Sequence, residues 1–139
     1  MGGAGPRGPG WQGLTPILPV RDVRAALAWY RDALGCEIAW VWDDGRFAAV
    51  FHGDVVQIYF RRAEAAVTPV GVYVHVDDAD MLHALYRERG VTIVEPLAST
   101  PWGMREFAVR DPDGHHLRFG HGEKTTAEIP RFRTPPSGS

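Results

Sequence analysis

Two histidines and one glutamate are the side chains of this 139-residue sequence best suited to chemistry. His75, His116 and Glu106 fall on predicted strands, where alternation places them on one sheet face. Two imidazoles and a carboxylate suit zinc or iron(II), and the same groups can act as a general base and its partner. Polar residues also occupy open sheet faces without a catalytic role. The sequence therefore leaves a metal site, an acid–base pair and a plain polar surface as open interpretations.

A cation is expected beside one of these groups. Arg118 lies on the predicted strand next to that of Glu106, so the two side chains could pair with each other or recognise a ligand. Cys36, the single cysteine, directly follows Gly35, and a free cysteine usually behaves as a small buried hydrophobic residue. We therefore expect Cys36 to pack in the core rather than to act as a nucleophile.

Three tryptophans could form the walls of a site for a flat ligand. Trp40 and Trp42 share one side of a predicted strand with Ile38, and Trp102 lies in a predicted loop. Each aromatic stack contributes roughly 0.5 to 1.5 kcal/mol beyond area burial. The alternative for these rings is packing in a core or in a dimer interface.

The composition argues against several classes of protein. The formal net charge is −2, from 15 basic and 17 acidic side chains, and residues 14–121 alone hold 11 basic and 15 acidic ones. A mildly acidic body argues against a nucleic-acid partner. No run of about 18 apolar residues offers a membrane span or a signal peptide. We therefore expect a cytoplasmic protein with no membrane and no nucleic-acid partner.

The chain divides into one domain and two ends. Residues 1–13 contain six glycines and two prolines without an apolar period, which predicts a disordered leader. Residues 122–139 are polar and rich in proline, which predicts a flexible C-terminal tail. Residues 14–121 are expected to form the single domain.

An internal duplication organises this domain. Apolar residues spaced three and four apart predict one helix that begins after Asp22 and another that begins after Asp78. Asp22 and Asp78 are 56 residues apart, and so are Tyr30 and Tyr86. Predicted strands follow the same offset: 14–20, 36–42, 46–52 and 55–60, then 70–76, 92–95, 104–110 and 115–119. We predict an α+β fold of two βαβββ modules, 14–63 and 68–121, whose curved mixed sheets form a groove.

Two segments carry a resemblance to a known family. The strand-to-helix segment LPVRDVRAALAWYRDALG and the closing segment PWGMREFAVRDPDGHHLRFG, together with the duplication, resemble the vicinal oxygen chelate superfamily. This superfamily is also called the glyoxalase/bleomycin resistance/dioxygenase superfamily, and the resemblance covers residues 14–121. It implies the duplicated fold and a homodimer that covers the sheet edges and apolar groove walls.

The resemblance also implies where a metal ion would bind. Metal enzymes of the superfamily place one ligand on the first and one on the last strand of each module, and these positions fall on Thr15, Gln57, Gly71 and Arg118. Glycine has no side chain, arginine is a permanent cation, and the neutral threonine and glutamine oxygens are weak ligands. We therefore expect no metal and no cofactor. That expectation argues against glyoxalase isomerisation, extradiol ring cleavage and metal-dependent fosfomycin opening.

A groove without its metal ligands resembles that of the bleomycin resistance type. These proteins are small homodimers that bind an antibiotic without altering it. We expect a resistance protein that sequesters a large planar natural product, bleomycin-type or another aromatic antibiotic, in a groove at the dimer interface. The predicted ligand-binding residues are Trp40, Trp42, Gln57, Tyr59, Tyr73, Trp102, Glu106 and Arg118. The alternative is a metal-independent isomerase, lyase or cyclase of natural-product metabolism, with His75 or His116 as general base and Glu106 as partner.

Strand alternation assigns further residues to two faces. The groove face is expected to carry Thr15, Ile17, Gln57, Tyr59, Gly71, Tyr73, His75, Glu106, Ala108, His116 and Arg118. The helix-covered face is expected to carry Leu18, Val20, Val56, Ile58, Phe60, Val72, Val74, Phe107, Val109, Leu117 and Phe119. Phe47 and Phe51 are expected in the core or an interface, and His115 and His121 in solvent.

Overall fold

Two βαβββ modules follow one another in the computed structural model, which describes residues 8–123. The first contains β1 (Ile17–Val20), α1 (Val23–Asp32), β2 (Glu37–Trp42), β3 (Phe47–His52) and β4 (Val56–Arg62). The second contains β5 (Gly71–His75), α2 (Ala79–Glu88), β6 (Ile93–Ser99), β7 (Met104–Arg110) and β8 (His116–Gly122). The predicted α+β class and its two tandem modules are confirmed.

The helices show the duplication most clearly. The bounds of α2 follow those of α1 at a constant offset, since 79 − 23 and 88 − 32 both equal 56. Asp22 and Asp78 cap the two helices, and each carboxylate accepts a hydrogen bond at 3.0 Å from the backbone N–H three residues on. Tyr30 and Tyr86 are buried on the sides that face the sheets.

Each module forms one four-stranded mixed sheet. The strand order is β1-β4-β3-β2 in sheet A and β5-β8-β7-β6 in sheet B, and the first and last strands of each module run parallel. A bulge interrupts both edge strands at the same place, between Ile38 and Trp40 in β2 and between Ile93 and Glu95 in β6. The duplication therefore extends to this bulge, whereas a second register shift in β6, between Glu95 and Ala98, has no counterpart in β2.

The pairing registers give the two sheets equivalent rows of residues. One row of sheet A holds Ile17, Tyr59, Ala49 and Trp40. The equivalent row of sheet B holds Tyr73, Arg118, Ala108 and Glu95. Directly paired residues point to the same face of a pleated sheet. The same position of the open face therefore carries different side chains in the two modules.

One continuous core lies on the helix-covered faces of both sheets. The Tyr30 hydroxyl donates to the Asp111 carboxylate at 2.6 Å, and the Tyr86 hydroxyl donates to the Leu34 carbonyl at 2.9 Å. Each duplicated tyrosine thus reaches into the other module. The predicted core residues Leu18, Val20, Ile58, Phe60, Phe107, Val109, Leu117 and Phe119 are buried here. Val72 and Val74 pack against this core, and Val56 lines a cavity beside it.

Two strand boundaries differ from the prediction. β1 begins at Ile17 rather than at Leu14, because Pro16 has no N–H to donate and Leu14 is 95% exposed. β6 continues to Ser99 rather than ending at Glu95. An edge strand with bulges tolerates the proline at position 96, which reads as a strand terminator in sequence.

Two histidines that we expected in solvent are part of the packing. His115 is fully buried; its Nδ1 accepts the Val70 N–H at 3.0 Å, and its Nε2 lies 2.7 Å from the Pro19 carbonyl oxygen. His121 accepts the Ala79 N–H at 2.8 Å. The expectation is wrong because these rings satisfy backbone groups that neighbouring elements leave open. His115 thereby ties the two modules together.

The predicted ends of the chain lie mostly outside the described residues. Residues 1–7 and 124–139 belong to the predicted leader and tail and are not part of that range. Residues 8–13 form no helix or strand, and β8 continues to Gly122, one residue beyond the predicted domain end at 121. No helix among residues 8–123 has the length and apolar character needed to cross a membrane.

Candidate functional site

Three rings form a cluster on the open face of sheet A. This aromatic triad consists of Trp40, Phe47 and Tyr59. The ring centroids are 5.4 Å apart for Trp40 and Phe47, 5.2 Å for Trp40 and Tyr59, and 5.5 Å for Phe47 and Tyr59, in tilted and edge-on arrangements. All three residues are half-buried. The triad therefore offers apolar ring surface that is already held in place.

A β-bulge decides which side chains of β2 reach this face. Ile38 pairs with the buried Val50, whereas Trp40 and Trp42 pair with residues of the open face. The prediction that Ile38 shares a side with both tryptophans is wrong, because the extra residue of the bulge reverses the alternation. Trp42 extends the face of the triad and is 67% exposed.

Two further predicted ligand-binding residues lie apart from the triad. Gln57 is exposed on β4, two residues from Tyr59. Trp102 lies in the turn before β7 and is 54% exposed. Within residues 8–123, the aromatic pairs that hold the triad do not include Trp102. The predicted tryptophan walls are therefore divided between the two modules of one chain.

Sheet B carries charged groups where sheet A carries rings. This ionic triad consists of Glu95, Glu106 and Arg118. Arg118 Nη1 donates to Glu106 Oε1 at 3.2 Å, and Arg118 Nη2 donates to Glu95 Oε2. The Tyr73 hydroxyl donates to Glu106 Oε2 at 2.8 Å. Both carboxylate oxygens of Glu106 therefore have partners, and only 6% of the residue is exposed.

Gly120 makes room for this arrangement. A Cβ atom at Gly120 would overlap the Tyr73 hydroxyl and would lie 3.1 Å from the Glu106 Cβ. Without that atom, Tyr73 lies across β8 and reaches β7. Burial, and next the hydrogen bond to Glu106, raise the pKa of Tyr73 to about 12. The hydroxyl therefore stays a proton donor to Glu106 at neutral pH.

The three candidate catalytic groups do not form one cluster. His75 and Glu106 share a row of sheet B because both pair with Gly120. His116 lies four residues from Gly120 along β8, which is about 13 Å at the rise of a strand. Of the two predicted histidines, His75 shares a row with Glu106, with β8 between their strands, and its ring centroid lies 4.9 Å from that of Tyr73.

The four metal positions implied by the resemblance hold an unsuitable ligand set. Thr15 and Gly71 are equivalent, but the registers make Tyr59 rather than Gln57 the counterpart of Arg118. With either residue, the set includes a glycine, a permanent cation and a neutral hydroxyl. Among residues 8–123, no group of three or more His, Cys, Asp or Glu side chains could hold an ion. The donors present therefore do not fit a divalent metal.

Comparison with known proteins places the chain in a family. Residues 14–119 match the model of the Glyoxalase/Bleomycin resistance protein/Dioxygenase superfamily. The chain belongs to this superfamily. An uncharacterized protein of Mycobacterium bovis is 29% identical over 123 residues, which cover 77% of this chain and 81% of the relative. The predicted resemblance is confirmed.

Two solved structures of this superfamily fold are similar to the chain. The bleomycin-binding protein of bleomycin-producing Streptomyces verticillus, in complex with copper(II)-bleomycin, is 30% identical with a TM-score of 0.68 and covers 82% of this chain and 98% of its own. TioX of Micromonospora sp. ML1 is 25% identical with a TM-score of 0.71 and covers 81% of this chain and 99% of its own.

The sequence does not predict Phe47 as part of the aromatic triad or Glu95 as part of the ionic triad. The sequence predicts Phe47 in the core or an interface. Phe47 lies two residues before Ala49, which pairs with Tyr59, so alternation places Phe47 on the same face as Tyr59. This spacing could have identified Phe47 as a member of the triad. Glu95 stands at the predicted end of β6, so its alignment with Ala108 depends on a bulge that the sequence does not reveal. Glu95 lies on the edge strand of sheet B, whereas Phe47 begins the interior strand β3 of sheet A.

Cys36 is a core residue, as expected. The residue is 7% exposed, and burial raises the pKa of its thiol to about 11. A protonated thiol is a poor nucleophile. Cys36 therefore takes no part in the candidate site.

Proposed function

We propose that this chain is an antibiotic-binding protein that sequesters a large planar natural product and thereby confers resistance. The aromatic triad on the open face of sheet A is the observation that carries the proposal. The bleomycin-binding protein of Streptomyces verticillus, which is 30% identical, supports the class of ligand.

Stacking on the aromatic triad supplies the binding energy in this proposal. A flat ring system contacts Trp40 and Tyr59 and is bordered by the exposed Trp42. Each aromatic contact contributes about 0.5 to 1.5 kcal/mol beyond area burial. The three rings of the triad restrain one another, so little side-chain entropy is lost when the ligand binds.

The ionic triad orients the ligand. Arg118 contributes one positive charge, and Glu95 and Glu106 contribute two negative charges, so the group carries a net charge of −1. The Glu95 side chain is 50% exposed and can meet a basic or hydrogen-bonding arm of the ligand. The proposed ligand therefore combines a planar aromatic part with polar arms.

A homodimer brings the two triads together in this proposal. Within one chain the triads lie on two different sheets, which share a core on their other faces. Ile17 and Trp42 leave sheet A with an exposed apolar surface, at 51% and 67% exposure, and such patches are typical of interfaces. We therefore propose that sheet A of one protomer faces sheet B of its partner.

One observation favours the enzymatic alternative, since His75 and Glu106 lie in one row of sheet B. A general base must reach the proton that it removes. Both oxygens of Glu106 are engaged by Tyr73 and Arg118, so the carboxylate is not free for that role. Sequestration needs no free base and accounts for the same contacts.

Tryptophan emission measures ligand binding directly. Bleomycin, a mitomycin, an enediyne and a quinoxaline peptide are added separately to the protein, and we expect at least one to quench the emission at micromolar concentration. The variant Trp11→Phe is the control, because Trp11 is 95% exposed outside both sheets, and it is expected to bind normally. Failure of every compound to quench at that level contradicts the proposal.

Mass spectrometry separates sequestration from catalysis. The quenching compound is incubated with excess protein, released by denaturation and weighed. An unchanged mass and chromatographic retention support sequestration. A new product that forms with unaltered protein but not with Glu106→Gln supports the isomerase, lyase or cyclase alternative instead.

A further inference from the structure

A cavity of about 690 Å³ lies between the two modules. Apolar side chains from the helix-covered faces and the helices form most of its wall: Leu34, Val56 and Ile58 of the first module, and Val74, Leu82, Leu117 and Phe119 of the second. Protein interiors contain few voids larger than a water molecule, whereas small-molecule sites span about 300 to 1,000 Å³. The cavity therefore has the size of a ligand site.

The inner wall of the cavity offers little to a polar ligand. The Tyr30 hydroxyl donates to the Asp111 carboxylate, and the Tyr86 hydroxyl donates to the Leu34 carbonyl, so both protons are already engaged. The Cys36 thiol stays uncharged at neutral pH, because burial raises its pKa to about 11. A polar group that is buried without a partner costs free energy. The interior therefore favours the hydrocarbon part of a ligand.

The mouth of the cavity is apolar with an acidic border. Met81 and Leu85 line the cavity one turn apart on α2, and both are exposed. Asp77 and Asp78 line it just before the same helix and are exposed too. Among residues 8–123, neither of these carboxylates forms an ion pair with a basic side chain. Two negative charges beside an apolar entrance are complementary to an apolar molecule that ends in a cation.

We propose that this cavity is a second small-molecule site and that its ligand is an apolar amine, an aliphatic or aromatic body with a protonated amino group at one end. The body fills the space between the modules, and the ammonium group stays at the mouth beside Asp77 and Asp78, where water still solvates it. His52 and His75, the other polar lining residues, have ring nitrogens that accept a hydrogen bond from an ammonium group when the imidazole is neutral. The site uses neither the aromatic nor the ionic triad, so it is independent of the sequestration proposed above.

Three probes of equal chain length test the charge preference of the cavity: n-octylamine, 1-octanol and octanoate. Calorimetric titration of the full chain at about pH 8, where a free imidazole is neutral, measures their affinities. We expect n-octylamine to bind about fivefold more tightly than 1-octanol, since a solvated ion pair contributes modestly, and octanoate to bind most weakly. Equal affinities for the three probes, or no binding of n-octylamine, overturn the proposal.

The double variant Asp77→Asn, Asp78→Asn removes both charges from the mouth. Asparagine caps a helix as well as aspartate does, so α2 keeps its first turn. We expect the amine and the alcohol to bind this variant equally well, with the affinity for 1-octanol unchanged. The control Asp44→Asn, Glu64→Gln removes two exposed carboxylates that do not line the cavity, and it should keep the fivefold preference. An equal loss of preference in both variants assigns it to the net charge of the chain and overturns the proposal.

The reactivity of Cys36 locates the bound probe, because Cys36 lines the cavity and is the single cysteine of the chain. Methyl methanethiosulfonate modifies thiols and leaves amines intact, and intact mass follows the reaction. At about ten times its Kd, n-octylamine should slow the modification about tenfold, since only about a tenth of the cavities stay empty.

Two results of this measurement contradict the proposal. Unchanged reactivity of Cys36 at that concentration places the bound amine elsewhere on the protein. Protection of Cys36 that appears without any probe and disappears on dilution assigns the cavity to a second copy of the chain. Either result overturns the proposal.

Discussion

The two sheets of this protein have the same backbone plan and opposite surface chemistry. Both have the same strand order, the same bulge in the edge strand and the same helix on the covered face. In equivalent rows, Trp40 of sheet A takes the place of Glu95 in sheet B, and Tyr59 takes the place of Arg118. The core lies on the other face of both sheets, so the open face can differ without changing the fold.

Under the proposed function, this difference lets one duplicated pattern recognise a ligand with two kinds of chemistry. The aromatic triad would then supply stacking area, and the ionic triad would fix the orientation of the ligand. Either face alone offers only half of what a planar molecule with polar arms requires. The proposed dimer joins the two halves.

The largest expected effect is a loss of stability when the His115 side chain, which contacts the backbone of both modules, is removed. Replacing His115 with Ala leaves the Val70 N–H and the Pro19 carbonyl without their side-chain partner. We expect the free energy of unfolding to fall by about 3 kcal/mol, measured by chemical denaturation. His116→Ala, an exposed neighbour, should change it by less than about 0.5 kcal/mol. Equal effects of the two variants would contradict the role of His115.

Removing the central ring of the aromatic triad is expected to weaken binding most. Trp40→Ala should lower the affinity for the quenching compound about 30-fold, or about 2 kcal/mol, because a large ring surface is lost. Glu95→Ala at the equivalent position of sheet B should lower it only about threefold, since an exposed charge contributes little. Isothermal titration calorimetry measures both. A larger loss with Glu95→Ala would reverse the assignment of the two faces.

Removing the cation of the ionic triad should affect stability more than the equivalent change in sheet A. Arg118→Met leaves the buried Glu106 with Tyr73 as its remaining partner. We expect a loss of about 1.5 kcal/mol, less than for a fully buried pair because 32% of the Arg118 side chain is exposed. Tyr59→Phe keeps the ring and should lie within about 0.5 kcal/mol of the unaltered protein. If thermal and chemical denaturation give equal losses for both variants, the ionic triad has no special role.

The smallest expected effect is the contribution of Tyr73 to the free energy of unfolding at alkaline pH. The folded chain keeps the Tyr73 hydroxyl proton up to a pKa of about 12, against an ordinary value of 10.0. This group therefore stabilises the fold fully below pH 10.0 and loses that contribution as the pH rises towards about 12. Tyr73→Phe should make the free energy of unfolding fall less steeply over that interval, by under about 1 kcal/mol. Parallel curves for the two proteins would show that Tyr73 is not involved.

The helices and the covered faces of the sheets could be predicted from sequence because their signals are local. Asp22 and Asp78 are caps followed by apolar residues at helical spacing, and the structure has both helices in those places. Alternation of apolar residues identified the buried face of β1, β4, β5, β7 and β8. Burial of one face requires apolar residues at every second position of a strand. This alternation is visible in the sequence.

The open faces could be predicted only in part because they depend on how strands pair. A bulge moves Ile38 to the other side from Trp40, and a second bulge aligns Glu95 with the ionic triad. The burial of His115 depends on backbone groups at Val70 and Pro19, 45 and 96 residues away in the chain. Such long-range partners leave no periodic signal in the sequence.

A crystal structure of the protein with the compound that quenches its emission tests the central claim most directly. We predict a dimer in which the planar part of an unmodified ligand contacts Trp40 and Tyr59 of one protomer, while a polar arm reaches the ionic triad of its partner. A ligand bound away from the aromatic triad, or a chemically altered ligand lying beside Glu106, would contradict the account.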